Sequence, residues 1–232
     1  MNKDTQKELL RIVRRNYEDD ARTFDETREK NIWPPLLALL QKVELGAKVL
    51  DVGCGNGRLL KVLAERHAKY IGVDQSESLI KICRDKYPEY KFAVEDILNL
   101  GELPEYDFDY VFCIAVLHHL PSADLRLQAL KQLKNKIKTN GKIILSVWNM
   151  WPLEKYRKMI YKFALLKIVG KNKMDWNDVL FDWRAPRGMM SKRYYHVFFQ
   201  RELKKLVKKS GLKMEKIFKD NFNYYLVLTR RI

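Results

Sequence analysis

The chain has 232 residues, 47% of them hydrophobic and 12% aromatic. This excludes a disordered polypeptide and allows one domain, or one domain with an elaboration, around a substantial core. The net charge of +16 is lopsided: residues 1–130 carry 19 Lys and Arg against 22 Asp and Glu, residues 131–232 carry 26 against 7.

Apolar Leu9, Leu10, Ile12, Val13 and Tyr17 predict an amphipathic helix over roughly residues 5–20. A second helix is expected after Trp33-Pro34-Pro35, because proline suits a first helical turn. The first core strand is Lys48 to Val52, followed by a helix from Arg58 to about Arg66. KYIGVD is a second strand ending at Asp74, and Gln75-Ser76 opens a helix through Lys86 with Ser76 as N-cap. YKFAVED predicts a third strand ending at Glu95-Asp96, and DYVFCIAVL a fourth, apolar on both faces as a central parallel strand is. A helix from about Ser122 to Ile137, a turn at Asn140-Gly141 and a fifth strand, GKIILSVW, follow.

After Trp148 the alternation breaks. A basic amphipathic helix (152–168) leads into a long irregular segment, 170–191, and such segments in compact domains are usually functional. A helix from Gln200 to Ser210 and two closing strands, KMEKIFKD and NYYLVLTRR, complete the pattern. The expected class is α/β: a doubly wound, mostly parallel seven-stranded sheet that binds its ligand at the carboxyl ends of the strands. N-terminal helices (1–45) would cap a binding core (46–150), and residues 151–232 would add a basic, substrate-facing elaboration with the closing strands.

The opening residues lack an apolar signal core, and no apolar run approaches the roughly 18 residues of a membrane span, so a soluble, cytoplasmic protein without a membrane partner is expected. Cys54, Cys83 and Cys113 lie far apart with no C-x-x-C, which suits buried reduced thiols and provides neither a zinc site nor another intrinsic metal.

Residues 49–60, VLDVGCGNGRLL, constrain function most tightly. A β-branched run ends in Asp51, then Gly53, Gly55 and Gly57 alternate before a helix. Such a loop turns sharply and brings backbone amides against a ligand at a helix N-terminus. Asp51 would repel a phosphate and suits a ligand carrying positive charge and hydroxyls. The dinucleotide fingerprint would need glycine where Arg58 stands.

This strand–loop–helix resembles that of the class I S-adenosylmethionine (SAM) methyltransferases, which have a Rossmann-like sheet. The resemblance implies SAM as cofactor, with Asp51 and Gly53 facing its methionyl part, Cys54, Gly55 and Gly57 in the loop, and Ala115 beneath. Asp74, 23 residues after Asp51, would fork onto the ribose hydroxyls with Gln75 beside it, and Asp96 with Ile97 would border the adenine. Position alone leaves Asp74 and Asp96 open to being helix-capping or loop acids.

Three further stretches resemble the tRNA methyltransferases that esterify carboxymethyl groups on wobble uridines. Near the N-terminus these are Tyr17, Phe24, Thr27-Arg28 and Trp33-Pro34; in the middle, CIAVLHHLPSADLRLQAL and the later SVW; near the C-terminus, DVLFDWRAPRGMMSKRYYHVFFQREL. Asp182, where that family has proline, and Gln200-Arg201, where it has glycine, are departures, as is a short linker before Tyr194-Tyr195-His196. The resemblance implies a tRNA partner and, from eukaryotic relatives, a small zinc-binding activator subunit. The basic second half supports a polyanion partner independently. A lysine-rich proteome would also load a surface with Lys, but the first half shows no such excess.

A carboxylate nucleophile is already anionic at neutral pH and needs no general base. Its enzyme must align an oxygen with the methyl group and exclude water. Arginine forks suit that task, with Arg28, Arg184 and Arg193 as candidates and Tyr194, Tyr195 and His196 as donors or stacking platforms. Alternate members of Tyr194, Tyr195, Val197, Phe198 and Phe199 could instead be core. His118 or His119 could serve as general base for a hydroxyl or ring nitrogen, or as a positioning residue. Two other classes fit the loop: a small-molecule SAM-dependent O-methyltransferase, for which WPLEKYRKMIYKFALLKIVG would supply an apolar lid, and a SAM-binding protein without catalysis. The intact Asp51, Gly53, Gly55 and Asp74 speak against the latter.

Overall fold

In the computed structural model, residues 1–28, 32–184 and 190–231 are described, with Arg28 and Arg184 described by their backbone alone. Three helices come first: α1 (Lys3–Asp19), α2 (Ala21–Arg28) and α3 (Pro34–Leu40). The alternating core follows as β1 (Lys48–Val52), α4 (Leu60–Leu63), β2 (Lys69–Asp74), α5 (Glu77–Lys86), β3 (Lys91–Val94), β4 (Phe108–Ile114), α6 (Ala123–Lys136) and β5 (Ile137–Trp148). Then come α7 (Glu154–Ile168), β6 (Asp178–Arg184), β7 (Met190–His196), α8 (Gln200–Lys209), β8 (Leu212–Lys219) and β9 (Asn223–Arg230).

Seven strands form one sheet in the order β3-β2-β1-β4-β5-β9-β8. β1 through β5 pair in parallel, and β9 runs antiparallel to both β5 and β8. The chain winds from β1 outward to β3, then crosses to β4 on the other side, so the winding reverses at the carboxyl ends of β1 and β4. That switch point opens a crevice in any sheet of this kind. Strand alternation divides the core in two. Leu50, Val111 and Cys113 bury on one face, and Val49, Phe112 and Ile114 on the other.

The strand and helix pattern follows the expectation for β1, β2, α5, α6, α8 and the closing pair, and Ser76 caps α5 by accepting from the Leu79 amide. Elsewhere it differs. The helix expected over 58–66 shrinks to α4, because turns flank it on both sides and His67 adopts a left-handed φ of 50°. The third strand stops at Val94, and the fourth at Ile114, where Ala115 takes φ 60° and a 3₁₀ turn follows over Leu117–His119.

No turn forms at Asn140-Gly141. β5 runs through it, and the ladder with β4 jumps from Phe108↔Ile137 to Tyr110↔Lys142. The bulged backbone passes so close that a Cβ on Gly141 would lie 2.7 Å from the Phe108 carbonyl oxygen.

The segment expected to be irregular, 170–191, contains β6 and the start of β7, paired as an antiparallel ribbon. Its two faces bury against different helices. Val179 and Tyr195 join a cluster with Ile160 of α7, while Tyr194, with Leu180 beside it, packs on Leu9 and Val13 of α1. α7 packs Ile160 and Tyr156 against the ribbon, while Leu165 and Ile168 nearer its end are 62% and 72% exposed.

Candidate functional site

The loop after β1 is built for close approach. Gly53 sits at φ +72°, and a Cβ there would lie 2.3 Å from Val116 Cγ2, so only glycine fits. The Gly53 and Cys54 amides both donate to the Val73 carbonyl, at 2.8 and 3.0 Å, tying this loop to the end of β2. There Asp74 accepts from the Gly55 amide through Oδ2 and from the Ser76 amide through Oδ1, each at 3.0 Å. Burial raises the Asp74 carboxyl above its ordinary range against the pull of those amides.

Asp51 is 1% exposed and accepts from the Tyr70 hydroxyl at 2.9 Å. Burial pushes its carboxyl up to about 7, with Tyr70 and the Arg58 charge acting in opposition. The turn at Ala115 is held by its amide, which donates to Ser146 O at 3.0 Å and Oγ at 3.1 Å.

A cavity of about 370 Å³ lies over these strand ends. Asp51, Gly53, Cys54, Gly55, Asp74 and Gln75 line one end, and Asp96, Ile97 and Ala115 continue the wall. Gly57 stands outside it. A Cβ there would face Tyr87 at 3.2 Å and Cys83 at 3.4 Å, so this glycine serves packing against α5. Asp96 caps the following 3₁₀ turn, accepting from the Leu98 amide at 2.9 Å. A buried acid, a forked acceptor and a loop whose alternate residues lack Cβ atoms suit a ligand with a cationic group and vicinal hydroxyls.

The first two helices roof this cavity through Tyr17, Asp20, Phe24 and Thr27. Glu18 fastens the roof: its carboxylate accepts from Ser76 Oγ at 2.7 Å and from Ser78 Oγ at 2.5 Å. Asp25 adds bonds from Asn56 at 3.0 Å and Lys86 at 2.5 Å. Glu18 and Asp20 carry a sequence signal, an acidic cluster closing a largely basic helix, whereas Asp25, within α2, has none.

At the other end stand Trp148, Tyr156, Phe181, Trp183, Arg193 and Tyr195. Arg193 is paired with Asp20 at 2.7 Å. Tyr195 lies 4.8 Å from Trp148 and 5.1 Å from His119, centroid to centroid. Tyr156 and Phe181 were not singled out from the sequence: Tyr156 is one aromatic in a helix whose facing partner is not legible, and Phe181 falls in the segment read as irregular.

The remaining candidates separate by side. Tyr194 is buried against α1, on the opposite face of β7 from Tyr195. His196 lies outside the cavity wall, with Nδ1 2.6 Å from Asp178 Oδ1 and Nε2 2.8 Å from Glu202 Oε1. Both ring nitrogens are thus engaged in fastening β6 to α8. His118 is fully buried behind Trp148; its Nδ1 accepts from the Trp148 amide at 3.4 Å, and Nε2 has no partner among the described residues. Burial holds its ring well below the ordinary histidine range. His119 does line the cavity, and its Nε2 meets the Tyr17 hydroxyl at 2.7 Å. Burial, with the Arg193 charge, lowers it to about 3, so it is neutral but a weak base. The Arg28 and Arg184 side chains lie outside the described residues.

Among the described residues no group of three His, Cys, Asp or Glu could hold a metal, and no helix is long and apolar enough to cross a membrane. The three cysteines are buried and unbridged.

Residues 24–217 match a family model described as a methyltransferase domain. An Arabidopsis thaliana protein named tRNA (carboxymethyluridine(34)-5-O)-methyltransferase is 38% identical over 138 residues, 60% of this chain and 33% of that protein. The chain likewise spans only 47% of the Saccharomyces cerevisiae protein of that name, at 34% identity over 59% of its own length. The Schizosaccharomyces pombe protein so named is 28% identical over 222 residues, covering 93% of this chain and 94% of that one. A solved SAM-dependent methyltransferase from Methanosarcina mazei shares the fold at 18% identity, with a TM-score of 0.70 over 87% of this chain and 99% of that one.

Proposed function

We propose that this chain, which belongs to the methyltransferase-domain family, transfers the methyl group of SAM to the carboxymethyl group of a modified wobble uridine in tRNA, forming a methyl ester in the cytoplasm. The observation that carries this reading is a single cavity joining two chemistries: buried Asp51 and half-buried Asp74 beside a glycine loop at one end, Arg193 amid aromatic rings at the other. The Schizosaccharomyces pombe relative, matched over nearly its whole length, supports the same substrate.

The acidic end fits SAM. Gly53 leaves room where a Cβ would collide, Asp51 faces the cationic methionyl part, and Asp74, pinned by two amides, presents its carboxylate to the ribose hydroxyls. Gln75, Asp96 and Ile97 border the adenine, and Cys54, Gly55 and Ala115 line the passage between. SAM supplies an electrophilic methyl group on a cationic sulfur.

The chain's own part is to bind, orient and keep out water. The substrate carboxylate is anionic without help, so no residue has to remove a proton. That agrees with a His119 ring occupied by Tyr17 and held at about 3, and with a His118 shut behind Trp148. Arg193, braced by Asp20, offers its fork to the carboxylate, and Arg28 and Arg184 are further cations for the same anion. Tyr195 orients the uridine from the wall, His196 holds the β6–β7 ribbon that carries it, and His118 supports Trp148 from behind. The roof of α1 and α2 excludes water, and displacing solvent around an anion that meets a cation speeds their reaction.

A small zinc-binding activator subunit is the partner proposed besides tRNA; co-purification with such a protein and stimulation of turnover by it would support that. To test the substrate, the purified chain is incubated with labelled SAM and tRNA bearing or lacking carboxymethyluridine, and its nucleosides are analysed by mass spectrometry. The reading requires a methyl ester, labile to mild alkali, only on the carboxymethylated tRNA. Label on a ring nitrogen or a ribose hydroxyl would refute it.

A further inference from the structure

A shelf of aromatic rings stands at the cavity mouth, apart from the acids and the glycine loop assigned to the cofactor. Tyr156 of α7 and Phe181 and Trp183 of β6 all line the cavity on the side away from Asp74. The rings form a continuous path: Trp148 to Tyr195 at 4.8 Å, Tyr195 to Phe181 at 5.8 Å, Phe181 to Tyr156 at 6.0 Å. Trp183, at its outer end, is 39% exposed.

Lys155 stands over this outer end. Its ammonium lies 5.5 Å from the Phe181 centroid and 5.8 Å from those of Tyr156 and Trp183. The adjacent acid, Glu154, is turned to Lys158 at 2.7 Å, so Lys155 meets ring faces where a carboxylate was within reach of the chain. An exposed lysine sharing three ring faces at a cavity mouth is a rim with two affinities, one for a flat ring and one for an anion. Both occur together in a nucleotide of single-stranded nucleic acid, and the half of the chain that holds the shelf carries 26 Lys and Arg against 7 acids.

We infer that Tyr156, Phe181 and Trp183 seat the splayed-out target nucleotide, with its base stacked on the rings and its phosphate held by Lys155. The inference rests on the tRNA reading above and adds where the nucleotide binds. The assignment of Lys155 to phosphate follows from depth. Lys155 is exposed and outside the cavity wall, whereas Arg193 and Ala115 are within it. An anion that meets the methyl group must sit deep, so the anion at the rim is the one on the backbone. Stacking suits an end so rich in rings: a ring face accepts the base while its carboxymethyl arm points inward.

The test uses the full chain saturated with S-adenosylhomocysteine and an anticodon stem-loop RNA with carboxymethyluridine at its first anticodon position, titrated over a range of KCl. Trp183→Ala should weaken RNA binding by roughly tenfold, leaving affinity for S-adenosylhomocysteine and Tm unchanged. Lys155→Ala should lower the slope of log affinity against log salt by about one, and Lys155→Arg should restore it. If both alanine variants bind RNA like wild type while wild type methylates it, the shelf is not the seat and the functional reading stands. If wild type neither binds nor methylates the RNA, that reading falls and this inference with it. Loss of S-adenosylhomocysteine binding in either variant overturns the assignment by placing the residue in the cofactor end. So does co-sedimentation with phosphatidylserine vesicles that depends on Trp183 while RNA binding does not.

Discussion

In the proposed reading Asp51 faces the cationic part of SAM, yet its own surroundings favour the proton. Its carboxyl is raised to about 7 by burial, so near neutral pH the protonated and ionised forms are comparable. A cationic ligand binds the ionised form. Affinity for SAM should therefore be level above about pH 7 and fall roughly tenfold for each unit below it. Calorimetry at pH 6, 7 and 8 in buffers of different ionisation enthalpy reads both the affinity and the proton released; equal affinity throughout would remove Asp51 from the ligand. Gly53 makes a sharper test. Gly53→Ala places a methyl group 2.3 Å from Val116 Cγ2 at a positive φ, so SAM binding should be lost and stability should drop by about 1–3 kcal/mol, read by denaturant titration. The acid, the alternating glycines and the second acid were legible in the sequence because each is dictated by backbone geometry at a strand end. The burial that raises both carboxyls, and the partners that oppose it, Tyr70 for Asp51 and the Gly55 and Ser76 amides for Asp74, were not, since register and loop path decide them.

At the scale of elements, the β6–β7 ribbon is where pattern reading failed. β6 does alternate, with Val179, Phe181 and Trp183 on one face and Asp178 and Asp182 on the other, but the pattern is short, Leu180 interrupts its polar side, and β7 begins, after Met190, on the polar run Ser191-Lys192-Arg193, so the pair resembles irregular chain. Its residues nonetheless divide cleanly. Tyr194 is 1% exposed in the contact with α1, and Tyr195, its neighbour, faces the cavity. Tyr194→Ala should cost about 3–5 kcal/mol and lower Tm by on the order of 10 °C. Tyr195→Phe should leave Tm within a degree or so, since it removes only a hydroxyl, while slowing methyl transfer. If thermal melts rank the two the other way, the ribbon is in the wrong register. His196 belongs to the same ribbon. With both nitrogens bonded to buried or half-buried carboxylates, His196→Ala should loosen β6 from α8 and lower stability by about 1–3 kcal/mol, with SAM affinity preserved. The Arg-Tyr-Tyr-His sequence therefore contains one cavity cation, one core residue, one cavity ring and one structural histidine, a division that only the strand's two faces reveal.

Across the whole molecule, charge and topology point the same way. The sheet's order could be inferred from β/α alternation and a reversal after β3, because right-handed crossovers leave few alternatives. The roof of α1 and α2 could not, since nothing in an amphipathic helix says which sheet edge it covers; Glu18 reaching Ser76 and Ser78 does. The roof, the glycine loop and the ribbon enclose one space, and in the proposed reaction an anion meets a sulfonium there without any residue having to take a proton. Single-turnover methyl transfer, followed with carboxymethylated tRNA prebound and SAM saturating, tests this most directly when its rate is measured against pH. The rate should stay level from about pH 6 to 9, because the carboxylate is ionised throughout. A rate rising tenfold per pH unit would mean that a proton must leave before the methyl group moves, and would contradict a carboxylate nucleophile.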